Sequence, residues 1–186
     1  MKKVEFFYDI VCPYAYLAAT QIESIAQKCS ITIDWKPVLL GGIYKSLQAP
    51  QQPSNQWPAA KVRWNAVDLQ RQIEEANVDC NFHPKHPQRT VEVMRLLACC
   101  PNQIRAEVSK KLYKAYWVDN IIFPNDEFLS QLAKDHDLPT DCYKTKQAKQ
   151  ALYDNTSEAI EKGVFGAPSY IVDGELFWGQ DRLDFV

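Results

Sequence analysis

A chain of 186 residues with 46% hydrophobic content is long enough to bury one sizeable core, so one compact domain, or a domain carrying an insertion, is expected. A formal charge of −2 leaves no electrostatic footprint for nucleic acid or an anionic membrane and argues against both as partners. No run approaches the roughly 18 consecutive apolar residues of a membrane-spanning helix.

Met1-Lys2-Lys3 has the basic character of a signal-peptide start. Glu5 and Asp9 interrupt the apolar run behind it, and no small-residue cleavage site follows, so a mature cytoplasmic chain is expected. Val4 to Val11, rich in aromatic and branched residues, reads as a strand buried on both faces. Cys12 closes it, and Pro13 falls where a helix best tolerates proline, at the first turn. Tyr14, Leu17, Ala18, Ile22, Ile25 and Cys29 then make one apolar stripe at helical spacing. A sulfur at position 12 faces the unpaired N–H groups and the positive dipole end of that helix. The expectation is a thiol pKa below the free value of roughly 8.5. Position 15, three residues on, is alanine, so the site cannot close a C-x-x-C disulfide.

Ile31 to Trp35 reads as a second strand, with Ile31, Ile33 and Trp35 on one side and Thr32 and Asp34 on the other. A strand–helix–strand unit predicts a parallel pair with a right-handed crossover. Gly41-Gly42 and the stretch Gln48 to Gln56 read as loop. Helical segments follow over Pro58–Ala76, Gln88–Cys100, Gln103–Val118, Asp126–Asp135 and Lys146–Lys162, punctuated by Pro101, Pro124 and Pro139. Ser169–Val172 and Glu175–Trp178 flank Asp173-Gly174, a strong hairpin signal. Gln180 to Leu183 opens a closing helix short enough to suggest a truncated end or a disordered tail.

The order βαβ, helical block, ββα is a thioredoxin-like α/β fold with a large all-helical insertion. Residues 1–40 and 163–186 form the discontinuous thioredoxin-like domain, and 41–162 the inserted helical domain. Pro168 cannot supply a ladder N–H and therefore sits at the first residue or the edge of its strand. In thioredoxin-like proteins the equivalent proline is cis and abuts the helix-capping cysteine, so a cis Ala167–Pro168 bond facing Cys12 is expected.

Among the six cysteines no disulfide framework is visible. Cys29, Cys99 and Cys100 end apolar helical faces and read as small buried hydrophobes. Cys80-x-x-His83-x-x-His86 has a metal-like spacing, but Pro84 and Pro87 crowd it and no fourth ligand is evident, so no metal is expected. His136 reads as a surface helix end.

Asp9-Ile10-Val11-Cys12-Pro13-Tyr14-Ala15-Tyr16-Leu17-Ala18 resembles the opening motif of the 2-hydroxychromene-2-carboxylate isomerases and kappa-class glutathione transferases, which belong to the DsbA-like branch of the thioredoxin fold. Gly163 to Pro168 and Asp173 to Leu183 resemble the C-terminal signature of those isomerases. Pro53-Ser54-Asn55 and Lys61-Val62-Arg63-Trp64 with Asp68-Leu69-Gln70-Arg71 resemble their loop and first inserted helix. The resemblance implies glutathione as cofactor, its sulfur at the helix start beside Cys12, where the family usually carries serine. It implies that Ala167, before Pro168, pairs through its backbone with the cysteinyl unit. It further implies that Gln180 and Asp181 hold the γ-glutamyl end, while Asn55 reaches the ligand from the loop.

Lys61 or Arg63 is the candidate cation for a substrate carboxylate, and Asp68 and Arg71, three apart, can pair. Trp64 stands where a tyrosine is common, which removes a hydroxyl. The leading expectation is a glutathione-dependent isomerase of an aromatic keto acid, working by reversible thiol addition, and the family implies a homodimer. The alternatives are a monothiol oxidoreductase or kappa-type transferase using Cys12 as nucleophile, and a catalytically silent binding protein.

Overall fold

The computed structural model describes residues 2–186. The central strand β1 (Lys3–Tyr8) lies parallel to β2 (Thr32–Pro37) and antiparallel to β3 (Ser169–Val172), which pairs in turn with β4 (Glu175–Trp178). The sheet order is β2-β1-β3-β4. The first strand ends at Tyr8 rather than Val11 because the Asp9 carboxylate accepts the Val11 N–H at 3.2 Å and folds the chain out of the sheet. Seven α-helices join the strands: α1 (Pro13–Cys29), α2 (Leu40–Ser46), α3 (Ala59–Ala76), α4 (Val91–Cys99), α5 (Asn102–Trp117), α6 (Asp126–Lys134) and α7 (Lys146–Glu161).

Alternation along the strands separates two kinds of face. Phe6 stacks on Tyr8 and Tyr170, at centroid distances of 5.1 and 5.5 Å, and meets Trp35 edge-on at 5.0 Å. Tyr113 of α5 continues this aromatic layer 6.1 Å from Tyr8. Such pairs add about 0.5–1.5 kcal/mol each beyond their buried area. The opposite face carries Glu5, Asp34 and Lys36 beneath α7. Lys36 bridges to Glu158 at 3.0 Å and Lys162 donates to Glu5. Asp34 is buried, its charge met by Lys3 at 2.8 Å and Lys36 at 3.6 Å.

Gly41-Gly42 lie inside α2, not in a loop. A Cβ at Gly42 would stand 3.1 Å from Thr156 Cγ2, and the Thr156 hydroxyl accepts the Leu39 N–H at 3.1 Å. Glycine lets α7 approach closely enough to hold the start of α2. The closing segment Gln180–Phe185 is a 3-10 helix, entered through Gly179 at φ +115°.

Pro101 separates α4 from α5, and Arg105 rejoins them. Its guanidinium donates to three carbonyls: Leu97 at 3.0 Å, Cys100 at 2.7 Å and Trp35 at 3.1 Å. Arg105→Ala strands the carboxyl end of α4 and a strand carbonyl, at a cost of about 3 kcal/mol. Urea unfolding should show the midpoint fall with an unchanged slope. Lysine, a single point charge, should recover less than half of the loss.

Candidate active site

Cys12 is the N-cap of α1, with Pro13 at the first helical position. Its thiol donates to the Ala167 carbonyl across 3.1 Å, and the Ala167–Pro168 peptide bond is cis. The Pro168 carbonyl accepts the Gly179 N–H at 3.0 Å, which ties this loop to the turn carrying Gln180 and Asp181. The charge of Asp181 is felt by Tyr14, next but one to Cys12, and by Tyr170, just past Pro168. Residues from both ends of the chain therefore converge on one sulfur.

That sulfur is not the low-pKa thiolate its position suggests. Only 8% of Cys12 is exposed, and burial pushes its pKa up to about 12. The N–H groups of Ala15 and Tyr14 pull the other way, but burial outweighs them, and the Asp9 charge adds to the rise. A helix N-terminus favours a thiolate, but no cation contributes here to offset the loss of solvent. At neutral pH Cys12 is a neutral donor. The Ala167 N–H has no backbone acceptor among the described residues.

Behind the site lies a carboxylate that sequence reasoning treated only as part of a motif. Asp9 is 1% exposed. It accepts the Val11 N–H, the Leu40 N–H at 3.0 Å and the Thr90 hydroxyl at 3.0 Å. One side chain thus fastens the Cys12 turn to the starts of α2 and α4. The available signal was a lone acid between a buried strand and a helix cap, a place where carboxylates close local turns. Burial raises its pKa from 3.8 to about 6, against the opposing pull of its hydrogen bonds.

The sign follows from proton uptake. Between roughly pH 4 and 6 the folded chain holds a proton on Asp9 that the unfolded chain has released, so stability is lost as pH rises through about 6. The loss is of the order of 1.4 kcal/mol per unit across that window. Subtracting the urea stability of Asp9→Asn from that of the parent at each pH isolates it. A flat difference would contradict the assignment.

Tyr14 donates to Asn65 Oδ1 at 2.8 Å and tethers α3 to α1; Gln180 donates to the Gln72 side chain. Between these elements runs a cleft of about 600 Å³ whose lining includes Leu17, Gln21, Gln72, Gln180, Asp181 and Asp184. The Asp181 carboxylate is exposed there and pairs with Arg182 at 2.7 Å. Burial holds the hydroxyl of Tyr44, on α2, up at about 12, and the nearby Asp9 charge adds to the rise.

Other expected residues stand apart. Asn55 donates to Gln52 at 2.9 Å in the exposed loop. The Lys61 ammonium sits 4.3 Å over the Trp57 ring, and Arg63 is exposed on the same helix. None of the three is hydrogen-bonded to Cys12 or the Ala167 loop. Asp68 accepts from Gln72 at 2.6 Å instead of pairing with Arg71; an amide and a carboxylate four residues apart are neighbours on a helix surface. Cys29 is exposed rather than buried because it ends α1, past the part of the helix that the sheet covers. The His136 side chain is only 7% exposed rather than on the surface, turned in beside Lys111 Nζ at 2.9 Å. His83 Nδ1 accepts the Lys85 N–H at 2.9 Å, and His86 Nδ1 bonds the Tyr116 hydroxyl at 3.0 Å.

Residues 3–186 match the family model of the DSBA-like thioredoxin domain. The chain is 28% identical to a 2-hydroxychromene-2-carboxylate isomerase from Sphingobium xenophagum, covering all of this chain and 96% of that protein. It is 25% identical to glutathione S-transferase kappa 1 from Rattus norvegicus, covering 98% and 88%. A solved 2-hydroxychromene-2-carboxylate isomerase superposes with a TM-score of 0.82 at 21% identity, over 98% of this chain and 91% of that one. The cytosolic disulfide reductase DsbM from Pseudomonas aeruginosa with GSH superposes at 0.61 with 13% identity, over 94% and 88%.

Proposed function

Because the chain belongs to the DSBA-like thioredoxin domain family, with relatives named as isomerases of 2-hydroxychromene-2-carboxylate, we propose that it is a glutathione-dependent isomerase of that type. Its substrate would be an unsaturated aromatic keto acid. The observation that carries this reading is the neutral Cys12 thiol held against the Ala167 carbonyl. A thiol kept protonated by burial is a poor nucleophile but can donate a hydrogen bond, as the serine common at this place in the family does.

The residues present fit a tripeptide thiol. Among the described residues, Ala167 offers an N–H with no backbone acceptor and a carbonyl that meets the Cys12 thiol, the two backbone groups a peptide needs to pair alongside. The exposed Asp181 carboxylate suits an α-ammonium group, and the amides of Gln72 and Gln180 suit the polar atoms around it. When bound, glutathione supplies a thiolate able to add reversibly to a conjugated double bond, turning it briefly into a single bond that can rotate.

The chain's own residues do the rest. With glutathione bound, the Cys12 S–H would direct its hydrogen bond from the Ala167 carbonyl to the glutathione sulfur and, with the N–H groups opening α1, would help keep that sulfur anionic. Asp9 fixes the turn that aims Cys12. Lys61 or Arg63, on the amino-terminal half of α3, would attract the substrate carboxylate, and Asn55 would reach the ligand from the preceding loop by giving up its bond to Gln52. Orientation in the groove supplies the remaining share of the rate.

Calorimetry with reduced glutathione and an isomerisation assay on 2-hydroxychromene-2-carboxylate test the proposal together. Turnover should require glutathione, and Asp181→Asn should weaken glutathione binding about tenfold, equivalent to about 1.4 kcal/mol. Isomerisation undiminished by removal of glutathione would overturn it.

A further inference from the structure

A second sulfur cluster lies away from the proposed glutathione groove. Cys99 and Cys100 end α4, and Cys142 opens the short 3-10 turn Cys142–Lys144 that leads into α7. That turn packs directly on α4. All three cysteines are free and belong to or pack against one apolar cluster. The Cys99 thiol also approaches the Leu96 carbonyl of its own helix at 3.1 Å. Cys99 and Cys142, 43 positions apart in the sequence, lie close enough for each sulfur to shift the other's titration.

We propose that Cys99 and Cys142 form an oxidation-sensitive dithiol that closes to an intramolecular disulfide bridging α4 and the turn before α7. The arrangement favours this pair over the vicinal Cys99-Cys100, which straddle the helix end: consecutive Cα atoms stand about 3.8 Å apart, short of the roughly 4.4–6.8 Å a disulfide spans. The two partners are also unequal. The Cys99 sulfur and the Tyr143 N–H hold the Cys142 thiol below its ordinary pKa, whereas Cys99, whose own proton goes to the Leu96 carbonyl, is held above it by the Cys142 sulfur and by burial. Cys142 is therefore the sulfur that attacks and Cys99 the one that resolves.

A small peroxide is the oxidant that a largely buried sulfur can meet. The Cys142 thiolate attacks one peroxide oxygen and the O–O bond breaks, giving a sulfenic acid and a hydroxide that is protonated to water. The Cys99 sulfur then displaces the sulfenic hydroxyl. The S–S bond forms, and the Cys99 proton leaves with that hydroxyl as a second water. Two thiols are oxidised by two electrons and one peroxide is reduced.

The consequence lies in what the bridge joins. α4 begins at Thr90, whose hydroxyl is bonded to Asp9, and α7 carries Thr156, which holds the start of α2. Closing the pair removes freedom from the unfolded chain over the loop between them and raises the unfolding temperature by several degrees.

Hydrogen peroxide treatment of the full chain, followed by alkylation and peptide mapping by mass spectrometry, tests this. The expected result is a mass loss of about 2 Da, a peptide linking Cys99 to Cys142, and a higher unfolding temperature reversed by dithiothreitol. Cys100→Ser should leave all three unchanged, and Cys142→Ser should abolish them. Because the mapping is done on the unaltered protein, it decides the matter even if a variant fails to fold. A Cys99–Cys100 or Cys100–Cys142 linkage, a terminal sulfinic acid on Cys142, or three thiols still alkylated would each overturn the proposal.

Discussion

Cys12→Ser should keep glutathione-dependent isomerisation within about threefold of the parent, whereas Cys12→Ala should lower kcat by about 10- to 100-fold. The estimate rests on one hydrogen bond from a neutral donor to an anionic sulfur, worth about 1.5–3 kcal/mol. Serine supplies a better donor than a thiol in the same volume, and alanine supplies none. The loss should fall on kcat more than on KM for the keto acid, because the bond stabilises the reacting sulfur rather than the substrate. Cys12 carries no resolving partner at position 15 and burial keeps it protonated, so a redox role would need the opposite environment. Loss of all turnover in Cys12→Ser, with turnover of a glutathionylated substrate in the parent, would assign Cys12 as nucleophile instead.

Trp117→Ala should cost the most stability of any single change considered, about 3–5 kcal/mol. Trp117 is fully buried, stacks on Tyr16 at 6.2 Å and packs at a tilt against Tyr116 at 4.9 Å and His86 at 5.1 Å. Its indole N–H donates to the Ile10 carbonyl at 2.8 Å, inside the turn between Asp9 and Cys12. One side chain from the inserted helices therefore fills the core and satisfies a backbone acceptor of the active-site turn. Trp117→Phe should separate the two effects. It retains most of the ring but orphans the carbonyl, for about 1–3 kcal/mol. Urea midpoints measure the stabilities, and the same two variants should lose isomerase activity in proportion if the Cys12 turn loosens. An alanine variant as stable as the parent would show that the indole is not what joins these parts.

The parallel first pair, the hairpin and the long helices were legible because each carries its own period or turn chemistry. The meeting of Cys12 with Ala167 could be read from topology and motif together. What local pattern could not show was set by partners distant in sequence. Gly41-Gly42 looked like loop until Thr156, on another helix, explained why a close contact needs glycine inside α2. Alternation put Asp34 on the polar side of its strand but could not show that it is buried, its charge met by Lys3 and Lys36. Asp9 passed as a motif letter although it organises the turn, since Leu40 and Thr90 lie 31 and 81 positions away. The most consequential difference is electrostatic. The helix start argued for a thiolate at Cys12, and the burial of its sulfur in the folded chain decides for the thiol.

Ultraviolet thiolate absorbance, followed against pH for the parent minus Cys12→Ser and then repeated with glutathione, tests most directly which sulfur is the anion. With Cys12 as neutral donor, the difference stays flat through neutral pH in the free protein, and a thiolate signal appears near neutral pH only when glutathione is added, in both proteins. A difference signal that rises at or below neutral pH without glutathione would make Cys12 itself the thiolate and contradict the mechanism.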